Sequence, residues 1–446
     1  MARPHRPDRG IAMSRQVPGE RPHIVVIGAG FGGLFATRAL VRANVRLTVI
    51  DRTNHHVFQP LLYQVATALL SPEDIAVSIR SVFSRNPHVR ILMGEVTRID
   101  PDRRLVHLGP THLTVPYDFL VVATGARHAY FGSPEWEALA PGLKTLEDAL
   151  DMRQEILSAY ESAERDRHGK APVFVVAGGG PTGVELAGTL AHMAHHTFAR
   201  DFPHVNARRA RILLAEAGPR LLSTFSPALA EHARRSLEAS GVEVRTGCPV
   251  RDLSPGRVRL GEEWIRTTVV LWAAGNQASV LGRKLGAPTD RSGRVAVLPD
   301  LSVPDHPEIF VVGDLALSLD RDGHPLPGTA PVAIQEGRHA AAMIRKRLAG
   351  GPTRAFAYRG HGQMATLGKR EAVVELGPLK VAGRLGWLLW LTVHLVALIG
   401  FQNRLLVLVR WAADYWADQP GARILFTGGS PRRPSHISSH PSRPSA

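Results

Sequence analysis

An α/β fold follows from three features of this 446-residue sequence: a glycine turn signature that occurs twice, an acid ending the strand after each, and paired small-residue turns downstream. "HIVVIGAGFGGLFATRALV" (23–41) reads as a buried strand, a glycine turn and a helix. Gly28, Gly30 and Gly33 supply G-x-G-x-x-G, the pattern that allows a tight turn, close backbone approach to a pyrophosphate and close helix–strand packing. The helix N-terminus behind it offers free N–H groups to phosphates. The next strand, "RLTVID" (46–51), ends in Asp51, eighteen residues after Gly33. That is about the ~20-residue spacing expected of a carboxylate that takes the hydroxyls of a ribose.

The pattern recurs in "APVFVVAGGGPTGVELAGTLAHM" (171–193), with Gly178, Gly180 and Gly183. "ARILLAEAG" (210–218) supplies the following strand, ending at Glu216, thirty-three residues after Gly183. The extra segment "HHTFARDFPHVNARR" therefore has to form a longer helix plus a loop. Glu216 favours the 2′-hydroxyl of NADH and repels the 2′-phosphate of NADPH, and no Arg follows it immediately. Two such units suggest two dinucleotides, one a tightly held flavin and the other an exchangeable nicotinamide.

"YDFLVVATGARH" (117–128) and "TTVVLWAAGNQ" (267–277) are counterpart strands whose small-residue turns, at Gly125 and Gly275, let backbone approach a dinucleotide. "HPEIFVVGDLA" (306–316) is a further strand, closing in Gly313–Asp314. The expected architecture is two Rossmann-like dinucleotide-binding domains, the second inserted into the first, with a C-terminal amphipathic helical segment. Its boundaries are a disordered basic tail at 1–21, an FAD-binding domain at 22–128 and 290–350, an NADH-binding domain at 129–289, a membrane-anchoring domain at 351–427 and a second tail at 428–446.

Composition limits the alternatives. Apolar residues make up 44% of the chain, enough for well-formed cores. The formal charge is +15, of which the Arg- and Pro-rich ends carry +3 each, leaving a basic body that favours anionic surfaces such as lipid headgroups. Nothing resembles a nucleic-acid recognition motif or a basic–aromatic stripe. Cys248 is the single cysteine, so no intrachain disulfide can form, which fits a reducing, cytosol-facing setting. It reads as a small buried hydrophobe. The N-terminus has no apolar core of a secretory signal. No run reaches the ~20 apolar residues that cross a bilayer comfortably.

"GWLLWLTVHLVALIGFQNRLLVLVRW" (386–411) is the most apolar stretch. Thr392 and His394 interrupt its first sixteen residues, and Gly400 breaks the pattern. Beyond it, Asn403, Arg410 and Asp414 fall on one helical face and Leu405, Leu408, Val409, Ala412 and Trp416 on another, with Trp411, Tyr415 and Trp416 as interfacial aromatics. A core helix or a homodimer interface has the same periodicity.

These pieces together resemble the two-dinucleotide flavoprotein reductases, and more closely the type II NADH:quinone oxidoreductases, the single-chain, non-proton-pumping NADH dehydrogenases. The resemblance covers about residues 22–420. It is carried by "DRTNHHVFQPLLYQVAT" (51–67), "GGGPTGVELAG" (178–188), "FVVGD" (310–314), "APVAIQEGRHAA" (330–341), "HGQMATLGKREAV" (361–373) and the apolar C-terminal run. It implies that Gly28, Gly30, Gly32 and Gly33 hold the FAD pyrophosphate, with Asp51 and Arg52 at its adenosine ribose and Val96 beside the adenine. Asp314 is implied at the ribityl or pyrophosphate part, and Gln335 beside the isoalloxazine ring near the quinone. Gly178, Gly180, Pro181, Thr182 and Gly183 are implied for NADH, with Glu185 on its nicotinamide side and Glu216 at its ribose. Some members carry Gln where this chain has Pro331, so a quinone contact by that side chain is missing.

The implied reaction is hydride transfer from NADH to FAD and then two electrons to a membrane quinone, on the cytoplasmic face of a membrane held through residues 386–427. Glu185 and Gln335 are the catalytic candidates. Each also has a plainer reading, Glu185 as an acid favoured in a helix's first turn and Gln335 as an ordinary helix hydrogen-bonder. His192, His195 and His196 share a helix face, but no carboxylate or Cys completes a metal set. His55 and His56 read as part of the flavin-side loop. One thiol cannot supply the cysteines of a disulfide or sulfide:quinone reductase. The rival readings are a soluble NADH-dependent flavin reductase serving a protein acceptor such as a ferredoxin, and a non-catalytic NADH sensor.

Overall fold

The computed structural model describes residues 21–110, 112–166, 170–360, 362–399, 401–417 and 423–425. The expected tails at 1–21, Arg21 excepted, and 428–446 lie outside the described residues, as do the side chains of Asp414, Tyr415 and Trp416. The chain forms two compact units, each assembled from three segments. The first takes the described parts of Met1–Val57, Ala76–Arg127 and Asn276–His361; the second takes Phe58–Ile75, His128–Gly275 and the described parts of Gly362–Ala446.

In the first unit, strand His23–Ile27 pairs in parallel with Arg46–Asp51 on one side and Phe119–Val122 on the other. Val89–Met93 and His306–Val311 extend the sheet in parallel at its two ends, and the short Ser302–Val303 closes one edge antiparallel. A parallel strand buried on both faces must be apolar throughout, and Ile24–Ile27 and Phe119–Val122 are accordingly buried along their length. Helix Phe31–Leu40 packs against helix Ala330–Leu348. The contact is close enough that a Cβ on Gly337 would lie 2.1 Å from the Gly32 carbonyl oxygen.

The second unit repeats the local logic. Strand Val173–Ala177 lies between Arg211–Ala215 and Val269–Trp272, all parallel, with Val242–Arg245 outermost. Helix Pro181–His195 follows its glycine turn, and a short helix (Phe198–Asp201) and a single 3₁₀ turn take up the extra residues before the acid-bearing strand. A three-stranded antiparallel sheet, Gln363–Thr366, Ala372–Leu376 and Leu379–Ala382, leads into two terminal helices, Gly383–Ala397 and Phe401–Ala417. No helix among the described residues is long and apolar enough to cross a membrane. Cys248 is only half-buried, against the apolar cluster that includes Val175, Leu213 and Trp272.

Because the Gly337 contact is backbone against backbone, Gly337→Ala cannot be absorbed by a rotamer change. It should destabilise the first unit by at least about 1–3 kcal/mol, read as a lower thermal midpoint.

Candidate functional site

The two glycine turns are built alike to within tenths of an ångström. In the first, Gly28 adopts φ 94°, and a Cβ there would meet the Ala123 carbonyl oxygen at 2.4 Å. In the second, Gly178 adopts φ 108°, with the Ala273 carbonyl at 2.7 Å. A Cβ on Gly33 would lie 1.8 Å from the Gly28 oxygen, and one on Gly183 the same distance from the Gly178 oxygen. Only glycine fits at these four positions. Gly30 and Gly180 differ: a Cβ on either meets nothing within 4 Å. Each is the N-cap of its helix, without a side-chain cap, and neither helix has an acid in its first turn. The protein leaves those helix ends open for an anion.

The acids meet the loops from the neighbouring strand. Asp51 Oδ2 accepts from the Ala29 N–H at 2.6 Å, and Oδ1 accepts from the Thr53 N–H at 2.8 Å. Glu216 Oε2 accepts from the Gly179 N–H and Oε1 from the Gly218 N–H, both at 2.6 Å. Each carboxylate thus clamps its own glycine loop and still has lone pairs to offer ribose hydroxyls. His56 lies under the first loop, with Nδ1–H donating to the Ala29 carbonyl at 2.8 Å and the ring at 5.1 Å from Phe31. Burial lowers its pKa. Arg52 is exposed, and Val96 is half-buried on strand Glu95–Asp100. Gly125 and Gly275 both take positive φ, as the small-residue turns require.

A cavity of ≈ 180 Å³ in the first unit is lined by Asp314, Arg294, Ser292, Ser318 and Glu336 among others. Glu336 is fully buried, accepting from the Gly313 N–H at 2.6 Å and from the Ser318 hydroxyl, and so fixes the turn that carries Asp314. Burial raises its pKa to about 7, the Ser318 and Gly313 donors pulling the other way and Asp314 adding to the rise. Sequence reasoning passed over Glu336 in favour of its neighbour. Gln335 instead pairs with backbone, donating to the Arg359 carbonyl and accepting from the Arg359 N–H, each at 3.0 Å. The signal for Glu336 was available: Val332, Ala333, Glu336, Gly337, Ala340 and Ala341 form one buried stripe of that helix, in which the lone acid needs partners.

In the second unit Glu185 is buried in helix Pro181–His195 and accepts from the Thr366 N–H at 3.3 Å. Gly188 admits this approach, since a Cβ there would meet the Leu367 carbonyl at 2.6 Å. Burial pushes the Glu185 pKa up to about 8, the Thr366 bond lowering it only partly. From Thr366 a chain of hydrogen bonds leads away. Its hydroxyl pairs with Tyr63 Oη at 2.9 Å, Gln64 donates to that same oxygen at 3.0 Å, and Trp411 Nε1–H donates to Gln64 at 2.8 Å. Tyr63, Gln64, Thr366, His192, Lys369 and three tryptophans, Trp387, Trp390 and Trp411, line a pocket of ≈ 60 Å³. Trp411 is half-buried, with Gln64 supplying the acceptor that its indole N–H needs.

Comparison with known proteins agrees with this geometry. Residues 22–337 match the pyridine nucleotide-disulphide oxidoreductase family. The chain is 41% identical to the type II NADH:quinone oxidoreductase Ndh of Mycobacterium tuberculosis, over 91% of this chain and 90% of that one. It is also 41% identical to the type II NADH:quinone oxidoreductase NdhA of the same organism, over 90% of this chain and 89% of that one. This chain belongs to the type II NADH:quinone oxidoreductases. Among solved structures, that of NDH2 from Plasmodium falciparum in complex with NADH superposes with a TM-score of 0.81 at 19% identity, covering 90% of this chain and 99% of that one, which speaks to the fold. The ferredoxin-serving reading is not the one these curated relatives carry.

For a type II oxidoreductase the two loops pass a physical test of fit to dinucleotides. Each combines an uncapped helix end, an open Gly Cα facing it and an acid of the neighbouring strand bonded to the loop. Gly30→Ala should fold normally yet lose flavin affinity by at least about tenfold, whereas Gly180→Ala should keep flavin and lose nicotinamide affinity by a similar factor. Flavin content and NAD⁺ titration read the two losses separately. A second outcome concerns Glu185. Its pKa is raised from 4.5 to about 8, so the fold binds one more proton than the unfolded chain between those pH values, and stability falls as pH rises through them. Glu185→Gln should flatten that fall in a pH series of thermal midpoints.

Proposed function

We propose that this oxidoreductase takes hydride from NADH in its second unit and delivers two electrons to a lipid-soluble quinone, with FAD resident in its first unit and no proton pumping. FAD supplies the two-electron carrier chemistry when bound. The chain's own residues bind, orient and protonate. Gly28, Gly30, Gly32 and Gly33 take the FAD pyrophosphate, Asp51 and Arg52 the adenosine ribose, Val96 the adenine side, and Gly125 and Asp314 the remaining backbone-facing part. Gly178, Gly180, Pro181, Thr182 and Gly183 take the NADH pyrophosphate, and Glu216 its adenosine ribose, where a 2′-phosphate would meet a carboxylate. Glu185 holds a proton at neutral pH beside the Tyr63–Gln64–Trp411 chain and the tryptophan-lined pocket, which suits a group that ends its reaction with two added protons. Gln335 acts here as a backbone brace, so its catalytic role rests on the resemblance alone.

One observation carries the membrane part of the reading. The two terminal helices turn Leu385, Leu388, Val393, Val396, Leu405, Leu406, Leu408 and Val409 outward, while Arg410 and Asn403 bond inward. Arg410 Nη1 lies 2.7 Å from the buried Asp74 carboxylate and 2.6 Å from Ser71 Oγ. An apolar face turned to solvent with its polar face spent on protein is the arrangement of a helix lying on a bilayer. A basic body complements an anionic leaflet. Leu405→Asp with Val409→Asp should cut co-sedimentation with anionic vesicles by at least about tenfold, since each lost apolar side chain is worth about 1.5–3 kcal/mol. NADH oxidation with a water-soluble quinone analogue should persist. Unchanged sedimentation would count against the anchor, and absent turnover despite bound FAD against the enzyme.

A further inference from the structure

Phe131, in the loop after strand Ala126–His128, meets the Trp272 ring at a centroid distance of 6.3 Å yet stays mostly exposed. Its backbone sits at φ 49°, a left-handed conformation costly for a bulky residue, and Gly132 follows at φ 99°. Its side chain is 72% exposed, although Tyr130 and Trp136 in the same loop are buried. The loop is anchored from behind. Tyr130 Oη donates to the Ala140 carbonyl at 2.8 Å, Trp272 Nε1–H donates to the Ala129 carbonyl at 3.0 Å, and the Tyr130 and Trp136 rings pack on Trp272 at 5.1 and 5.7 Å. The Phe131 ring itself lies over the Gly275 backbone, so close that a Cβ on Gly275 would sit 2.4 Å from Phe131 Cζ. A strained backbone thus presents an apolar ring to the outside, where burial contributes little in return.

Topology says what that ring faces. The second unit's strands run in the order Val242–Arg245, Arg211–Ala215, Val173–Ala177, Val269–Trp272. Glu216 stands beside the glycine loop at the end of Arg211–Ala215. Ala273–Gly275 stands on the other side, at the end of Val269–Trp272, with the Ala273 carbonyl against Gly178. A dinucleotide with its adenosine ribose at Glu216 and its pyrophosphate over the loop therefore runs toward Ala273–Gly275 with its other half.

We propose that Phe131 is a nicotinamide-binding residue of the second unit, its ring forming the flat apolar wall against which the nicotinamide end of NADH rests. The proposal rests on assigning NADH to this unit, and it explains why strain and exposure coincide at one side chain. An aromatic contact of this kind is worth roughly a threefold to tenfold change in affinity.

The test uses FAD-loaded protein and two ligands, NAD⁺, which carries the ring without reducing the flavin, and ADP-ribose, which lacks the ring. Calorimetric titrations compare the wild type with Phe131→Gly and Phe131→Tyr. The expected result is a threefold to tenfold weaker NAD⁺ affinity in Phe131→Gly at unchanged ADP-ribose affinity. Its thermal midpoint should be unchanged or higher, because glycine relieves the left-handed backbone. Phe131→Tyr, which keeps the ring, should restore NAD⁺ binding. Equal losses for both ligands, a lowered midpoint with general loss, or an unaltered NAD⁺ affinity would each overturn the proposal. If the wild type binds ADP-ribose but the variants do not discriminate, the wall is refuted while the NADH assignment stands. If the wild type binds neither ligand, that assignment falls and the wall with it.

Discussion

The structure depends on a contact with no slack: the oxygen of the first glycine in each turn lies where the Cβ of the third glycine would be, at 1.8 Å in both units. That contact presses each helix onto the end of its own strand, so the helix axis and its free N–H groups have one direction available. The acid from the adjacent strand then closes the turn by accepting from the N–H of the residue after the first glycine, Ala29 in one unit and Gly179 in the other. Parallel pairing fixes the height of that acid, since Ile27 pairs with Ile50 and Ala177 with Ala215. Sheet register, helix direction and loop shape are therefore one constraint. The longer connection in the second unit leaves this geometry untouched, because the register of the strand, and not its distance along the chain, sets where Glu216 arrives.

Features that follow from local rules were legible in the sequence. Both glycine turns, both acids, the small-residue turns at Gly125 and Gly275 and the break before Phe401 are written in patterns of a few residues each. What escaped depends on tertiary neighbours. Glu336 looks like any helix-surface acid until the Gly313 turn and Ser318 are brought to it from other segments. Gln335, one residue earlier, points to the Arg359 backbone for a reason no periodicity encodes. The Trp411–Gln64–Tyr63–Thr366 chain joins residues more than three hundred positions apart, and none of its spacings carries a local signature.

The last helix shows the same limit from the other direction. Its periodicity separated Asn403 and Arg410 from Leu405, Leu408 and Val409 but could not say which face met protein. Hydrophobic-inside reasoning would bury the leucines. The structure instead pairs Arg410 with the buried Asp74 and leaves the leucines out. The reason is an acid waiting beneath: Asp74 is almost fully enclosed, and a buried carboxylate without a cation is costly. The polar face is the one with a partner in the fold, so the apolar face is left to find its own outside it.

That same economy of charge sets Glu185 apart. Asp74 and Asp300 are buried beside cations, Arg410 and Arg347 each at 2.7 Å, and Glu336 is buried with two donors, the Gly313 N–H and the Ser318 hydroxyl. Glu185 receives a single backbone N–H at 3.3 Å and, among the described residues, no ion pair. Burial raises the pKa of a carboxyl so placed, here to about 8, and a Leu or Met of similar volume would cost the fold less. Helix-dipole preference does not account for it, because that preference fades beyond the first turn, and Glu185 lies past the first turn of helix Pro181–His195. On the proposed function that proton is of use, and the carboxyl is held one hydrogen bond from Thr366, at the inner end of a chain that leads to the tryptophan-lined pocket.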